Sequence, residues 1–329
     1  MKKILIHARH EDYNNLKLLL EKCYHIDINE KDFVQITLFV PDASVNSTID
    51  ALRETLDMRY RDTLIEVSSP DFVISSSLNR AEKSVKTSEK TPVEQLLDSA
   101  RDYVRIDYWS ISLTAIAGLI ALIGLFLNNV AIIIGAMLLS PILGPIHSFT
   151  IYAALGRAND ALRSIRVLAI LLGSVFMVSA IATYLLNYLI LFIPSTSVSL
   201  AITSEIISRT SSSPIYIVMA ILLGMASIIA LTRGSAEFIA GVAVAAALLP
   251  PTVVAGISVV MLPADFVGSA LLVMDNVIGL MAGALISTLL LGIAPRNSGE
   301  TKVAKKFIQR TSVMIFVMIV FLSVMSYIF

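Results

Sequence analysis

Asp275, beside Asn276, sits in the apolar run Phe266–Leu291. Nine residues into a helical run puts its carboxyl about 13 Å deep in a bilayer. A carboxylate there must be neutralised, paired or bound to a cation. Two readings stand, a structural hydrogen bond to a neighbouring helix or a coupling group for H⁺ or Na⁺. The other unusual positions are prolines and their neighbours. Ser140-Pro141 and Gly144-Pro145 interrupt VAIIIGAMLLSPILGPIHSFTIYAAL, residues Val130–Leu155, and Pro250-Pro251-Thr252 interrupts the apolar stretch Phe238–Leu262. Proline removes a backbone donor and clashes with the preceding turn, so both stretches are expected to break or kink. Freed main-chain groups are costly among acyl chains and must face protein or a water-filled cavity. Two interrupted spans therefore point to a substrate or ion site near the midplane, framed by the two breaks. Its candidate residues are Ser140, Pro141, Gly144, Pro145, His147, Pro250, Pro251, Thr252, Asp275 and Asn276. The hydroxyls of Ser140, Ser148, Thr150 and Thr252 either satisfy groups freed by the kinks or line that site. The half-helix after Pro141 would turn its positive amide end toward an anionic substrate group. His147 is either a proton relay or a buried, hydrogen-bonded imidazole.

Composition sets the class. Hydrophobic residues make up 56% of the chain and charged ones only 15%, which marks a multi-span membrane protein whose first partner is the lipid bilayer. No basic stripe with interleaved aromatics is present, so nucleic acid is not expected as a partner. Cys23 is the single cysteine, which rules out an internal disulfide. The start, MKKILIHARHEDY, lacks the apolar core of a signal peptide and reads as cytoplasmic. His7, His10, Glu11 and Asp12 cluster near it, but His-x-x-His without a further strong ligand reads as surface histidines, and no metal site is expected. There is no P-loop, HExxH or G-x-S-x-G, so neither an enzyme nor a cofactor is expected.

Three regions follow. Residues 1–75 show strands at Lys3–His7, His25–Ile28, Phe33–Val40 and Thr63–Val67, with helices at Asp12–Cys23 and Ser44–Leu56. That order predicts a cytoplasmic α+β domain of the ferredoxin-like, split-βαβ kind. Residues 76–107 form a polar linker and an amphipathic connector helix, which either lies on the membrane or packs under the bundle. Residues 108–329 hold about seven transmembrane helices. Arg157, Arg163, Arg166, Arg233, Arg296, Lys302, Lys305 and Lys306 fall in alternate loops, and the opposite loops contain only Arg209. The positive-inside rule then puts the N-terminus in the cytoplasm and the C-terminus outside a cell membrane. Sliding the chain until Gly124 meets Gly234 also brings Pro141 onto Pro251. Each unit, 109–193 and 215–291, would hold three spans with the broken one in the middle. Three is odd, so the second unit would be inverted. The extra helix 308–329 would face lipid or a partner copy, and a homo-oligomer is expected.

The segment NNVAIIIGAMLLSPILGPI, Asn128–Ile146, followed by GRANDALRS and later ALLPP, resembles the domain-of-unknown-function 389 family of prokaryotic hydrophobic proteins. The resemblance implies an integral membrane protein and brings no activity with it. The residues themselves point to a secondary transporter or channel for a small polar or ionic solute. The rival is a membrane-embedded sensor or scaffold whose N-terminal domain binds a ligand or partner.

Overall fold

The computed structural model describes residues 2–13, 16, 24–29, 33–40, 44–56, 60, 63–68, 93–104, 107–192, 200–233, 237–293, 295 and 298–328. The chain divides into two compact units, Met1–Pro92 and Val93–Phe329.

In the first unit β1 (Lys2–Ala8), β2 (Tyr24–Asn29), β3 (Val34–Val40) and β4 (Leu64–Ser68) form one antiparallel sheet in the order β2-β3-β1-β4. Ile4 lies opposite Leu38 on one side and Val67 on the other. Alternation makes the core. Ile4, Ile6 and Ala8 of β1, with Val34, Ile36, Leu38 and Val40 of β3, all turn to one face and are buried. Helix α1 (Val45–Thr55) covers that face with Val45, Ile49, Leu52 and, just past its end, Leu56. Burying each such side chain contributes roughly 1.5–3 kcal/mol. On the other face Ile26, Ile28 and Leu64 stay about half exposed. Most of the predicted helix Asp12–Cys23 and all of linker 76–92 lie outside the described residues, although Leu16 is buried in this core.

The second unit is helical: α2 (Val93–Val104), α3 (Tyr108–Phe126), α4 (Val130–Leu139), α5 (Leu143–Ala154), α6 (Ala158–Phe192), α7 (Pro214–Arg233), α8 (Glu237–Met261), α9 (Phe266–Leu290) and α10 (Ser298–Ile328). Six of these are long and apolar enough to cross a bilayer, and α4 with α5, bent by 49° at their junction, makes a seventh span if taken as one. The chain is therefore a multi-pass membrane protein. Tyr108 and Trp109 at the start of α3 are more than four-fifths exposed, as aromatic anchors at a membrane interface are. The connector α2 packs into the bundle: Leu96, Ala100 and Val104 are buried, and Ser148 Oγ donates to the Ala100 carbonyl at 2.9 Å. Helix α6, at 35 residues, is the longest, about 52 Å at helical rise.

Helices in lipid gain little from the hydrophobic effect and hold together by close packing and hydrogen bonds. The tightest pair is α7 with α9. A Cβ on Gly283 would collide with the Ile221 carbonyl, and one on Gly224 with the Leu280 carbonyl.

One expectation fails here. Helix α8 runs unbroken from Glu237 to Met261 with both Pro250 and Pro251 inside it. The reason lies on its neighbour. Pro251 has no N–H for the Ala247 carbonyl four residues back, and Asn276 Nδ2 of α9 donates to that carbonyl instead, at 2.7 Å. Thr252 Oγ1 adds a bond to the Leu248 carbonyl at 2.7 Å. Pro250 likewise offers no N–H to the Ala246 carbonyl, so the Asn276 bond pairs one of the two groups the prolines free, and the helix continues through both. The span before it does break. Ser140 is extended, as a residue preceding proline tends to be, and its N–H takes the Met137 carbonyl that Pro141 leaves free, at 3.3 Å. Pro145 adds no second break, because it falls in the first turn of α5, where no donor is required.

Two outcomes follow. Asn276→Leu leaves the Ala247 carbonyl buried without a donor and should cost about 1–3 kcal/mol. In a Pro251→Ala background the helix supplies its own N–H, so the same change should cost markedly less; a thermal-unfolding double-mutant cycle in detergent reads the difference. Gly283→Val should separate α7 from α9 and reduce the yield of monodisperse protein on gel filtration, whereas Gly135→Val, where a Cβ meets nothing within 4 Å, should not.

Candidate functional site

The junction of α4 and α5 is the first place where polar groups collect inside the bundle. Helix α5 begins without a side-chain cap at Ile142. The first amides of a helix have no intrahelical acceptor, and here no described residue supplies one for Leu143 or Gly144. Yet Ile142 through Ile146 are all buried. Ser140 Oγ, next to this end, is buried without a hydrogen-bond partner, and so is His147 Nε2 one turn further on. The positive end of a twelve-residue helix and two unsatisfied polar side chains thus occupy one short stretch. The Tyr103 ring of α2 covers it, close enough that a Cβ on Gly144 would strike the ring. Glycine is what lets the connector close over this end. Ser148 and Thr150 are spent on main-chain carbonyls, those of Ala100 and Ile146.

Asp275 forms the second cluster. It is fully buried in α9. Ser212, in the loop before α7, donates to its Oδ2, and Ser326 near the end of α10 donates to the same atom at 2.8 Å. The two hydroxyl oxygens lie 3.2 Å apart. Oδ1 has no partner, and no ion pair reaches the carboxylate among the described residues. A charged carboxylate so enclosed is costly unless a proton or a cation accompanies it. The three oxygens supply the hard donors that a small monovalent cation takes, and equally a relay through which a proton passes.

The ten predicted positions therefore separate into three groups. Ser140, Pro141, Gly144, Pro145 and His147 stand at the α4–α5 break. Pro250, Pro251, Thr252 and Asn276 form the repaired stretch of α8, with Asn276 held by the Ala247 carbonyl. Asp275 looks the other way, toward α10 and the loop before α7. The expected hydrated pocket between two breaks is not among the described features. The large cavity beside α8 is apolar, and of the ten it includes only Thr252, whose hydroxyl is already bonded. The residues missed in the sequence are Ser212, Ser326 and Tyr103. The run Ser211-Ser212-Ser213 ahead of Pro214 was visible, but nothing local ties it to a carboxyl more than sixty residues later.

The profile of the domain-of-unknown-function 389 family matches residues 137–282. The match takes in the α4–α5 break, the two prolines of α8 and Asp275-Asn276; it leaves out the N-terminal sheet and Ser326. An uncharacterized protein of Methanocaldococcus jannaschii is 25% identical over 218 residues, which cover 65% of this chain and 64% of that relative's own length. No solved structure matches. Over residues 137–282, then, the chain is similar to the domain-of-unknown-function 389 family.

Proposed function

We propose that the protein is a membrane transport protein, a secondary transporter or channel, for a small polar or ionic solute. The observation that carries this reading is the buried, uncapped amino end of α5, with Ser140 Oγ and His147 Nε2 unpartnered beside it. Such a helix end attracts the anionic part of a solute, and irregular backbone at membrane depth persists only where it is sheltered by protein or lines a path. Asp275, with Ser212 and Ser326, is the coupling group that takes up H⁺ or Na⁺. The site belongs to one broken span instead of two, because α8 stays whole.

Chain direction supports a three-plus-three inverted arrangement of α3–α6 and α7–α9. The middle span of each unit packs on the third span of the other, α8 on α6 and α5 on α9. The basic loops assign the N-terminal domain to the cytoplasm and the C-terminus to the outside of the cell membrane. The sheet order β2-β3-β1-β4 suits a ferredoxin-like domain. Its second face, where Ile26, Ile28 and Leu64 are about half exposed among the described residues, favours contact with a second copy or, in the rival reading, a sensed ligand.

The purified chain in proteoliposomes, screened for currents with inorganic anions, carboxylates and amino acids, should carry at least one of them. Asp275→Asn should cut that flux by about tenfold or more and abolish its dependence on Na⁺ or pH. Flux and ion dependence both unchanged in Asp275→Asn would remove the coupling assignment. No flux from the bundle, together with ligand binding by the N-terminal domain, would favour the sensor. For orientation, Asn128→Cys and Ala264→Cys in a Cys23→Ser background should both react with a membrane-impermeant maleimide on whole cells.

A further inference from the structure

The transport reading leaves one large feature unused. A cleft of about 560 Å³ lies among α6, α8, α9 and α10. Its walls are apolar and include Met274, Met281, Met314 and Met318, flexible side chains that adapt to a loosely shaped occupant. Helices α6 and α10 face each other across it with little direct packing. Met274 and Met314 remain 42% and 58% exposed, so the cleft opens sideways, where acyl chains lie. Along α6 it runs from Ile165 to Phe176, about 16 Å, or close to one leaflet of a hydrocarbon core about 30 Å thick. Phe176 and Phe266 meet at the far end, ring centres 6.2 Å apart.

Charge gives the cleft a direction. Arg310 stands one helical turn before Met314, on the row that continues to Met318, and Arg166 shares a face of α6 with Ala169 and Gly173. Gly156, just before α6, abuts Ala304 of α10. The start of α6 is therefore level with Ala304, six residues into α10, and both arginines come toward the same end of the cleft. Both are exposed, and neither has a carboxylate partner among the described residues. An apolar slot about one leaflet long with exposed cations toward one end matches a lipid with an anionic headgroup.

We infer that this cleft seats one acyl chain of an anionic phospholipid from the surrounding bilayer, its phosphate held by Arg166 and Arg310. This does not depend on the transport reading. Delipidated full-length protein in detergent is titrated with dioleoylphosphatidylglycerol or dioleoylphosphatidylcholine, and bound lipid is counted by native mass spectrometry. One phosphatidylglycerol per chain should be retained, on the order of tenfold more tightly than phosphatidylcholine, given two favourable cations. Gly173→Leu tests the seat itself: a Cβ there meets nothing within 4 Å, so the side chain enters the cleft without moving backbone and should displace the lipid. Should that variant fail to fold, R166Q/R310Q decides alone. It should erase the preference for phosphatidylglycerol while phosphatidylcholine binding persists, and Arg209→Gln, at the opposite end of the bundle, should leave the preference intact. Equal retention of the two lipids by the wild type, or an unchanged preference in R166Q/R310Q, would mean ordinary annular lipid and overturn the assignment.

Discussion

A main-chain group inside a bilayer needs a partner in the protein or in sheltered water, and the prolines of this chain show two ways of meeting that demand. In α8 the carbonyl left free by Pro251 receives a side-chain amide from Asn276, and the helix continues. At Pro141 the freed carbonyl is taken by the amide of Ser140, which has swung into extended backbone, and the helix ends. The first solution fixes α8 against α9. The second leaves a new helix beginning inside the bundle, with its amides uncapped. The same local chemistry thus gives a rigid contact in one place and an unfilled electrostatic demand in the other.

Much of the architecture was legible because it depends on period and length. The alternation of Val34, Ile36, Leu38 and Val40 became the buried face of β3, and the stripe Val45, Ile49, Leu52, Leu56 became the buried side of α1. The seven apolar stretches became the spans, the broken one counted with them. What could not be read was whether a proline pair opens its helix. That depends on a donor delivered by another helix, 29 residues further along the chain, and local sequence carries no record of the meeting. Ser212 and Ser326 were hidden for the same reason, since two distant segments converge on one carboxylate oxygen.

The candidate residues also divide by how their polar atoms are spent. Thr150, Thr252 and Ser148 bond to carbonyls and reinforce helices. Ser140, His147, Asp275 and, at its Oδ1, Asn276 each keep an atom with no partner. Residues of the first kind explain how an apolar bundle tolerates polar side chains. Those of the second kind leave a desolvation cost standing, which is why chemistry is sought around them.

Helix α6 also serves as a gauge of the membrane. Between Arg166 and the half-exposed Tyr188 it measures about 33 Å, close to a usual hydrocarbon core. A thinner bilayer would press Leu185 and Leu189 among headgroups or force the helix to tilt, and tilting a wall so widely shared would disturb α3, α5 and α8 together. Bilayer thickness is thus a variable to which the whole bundle is mechanically exposed.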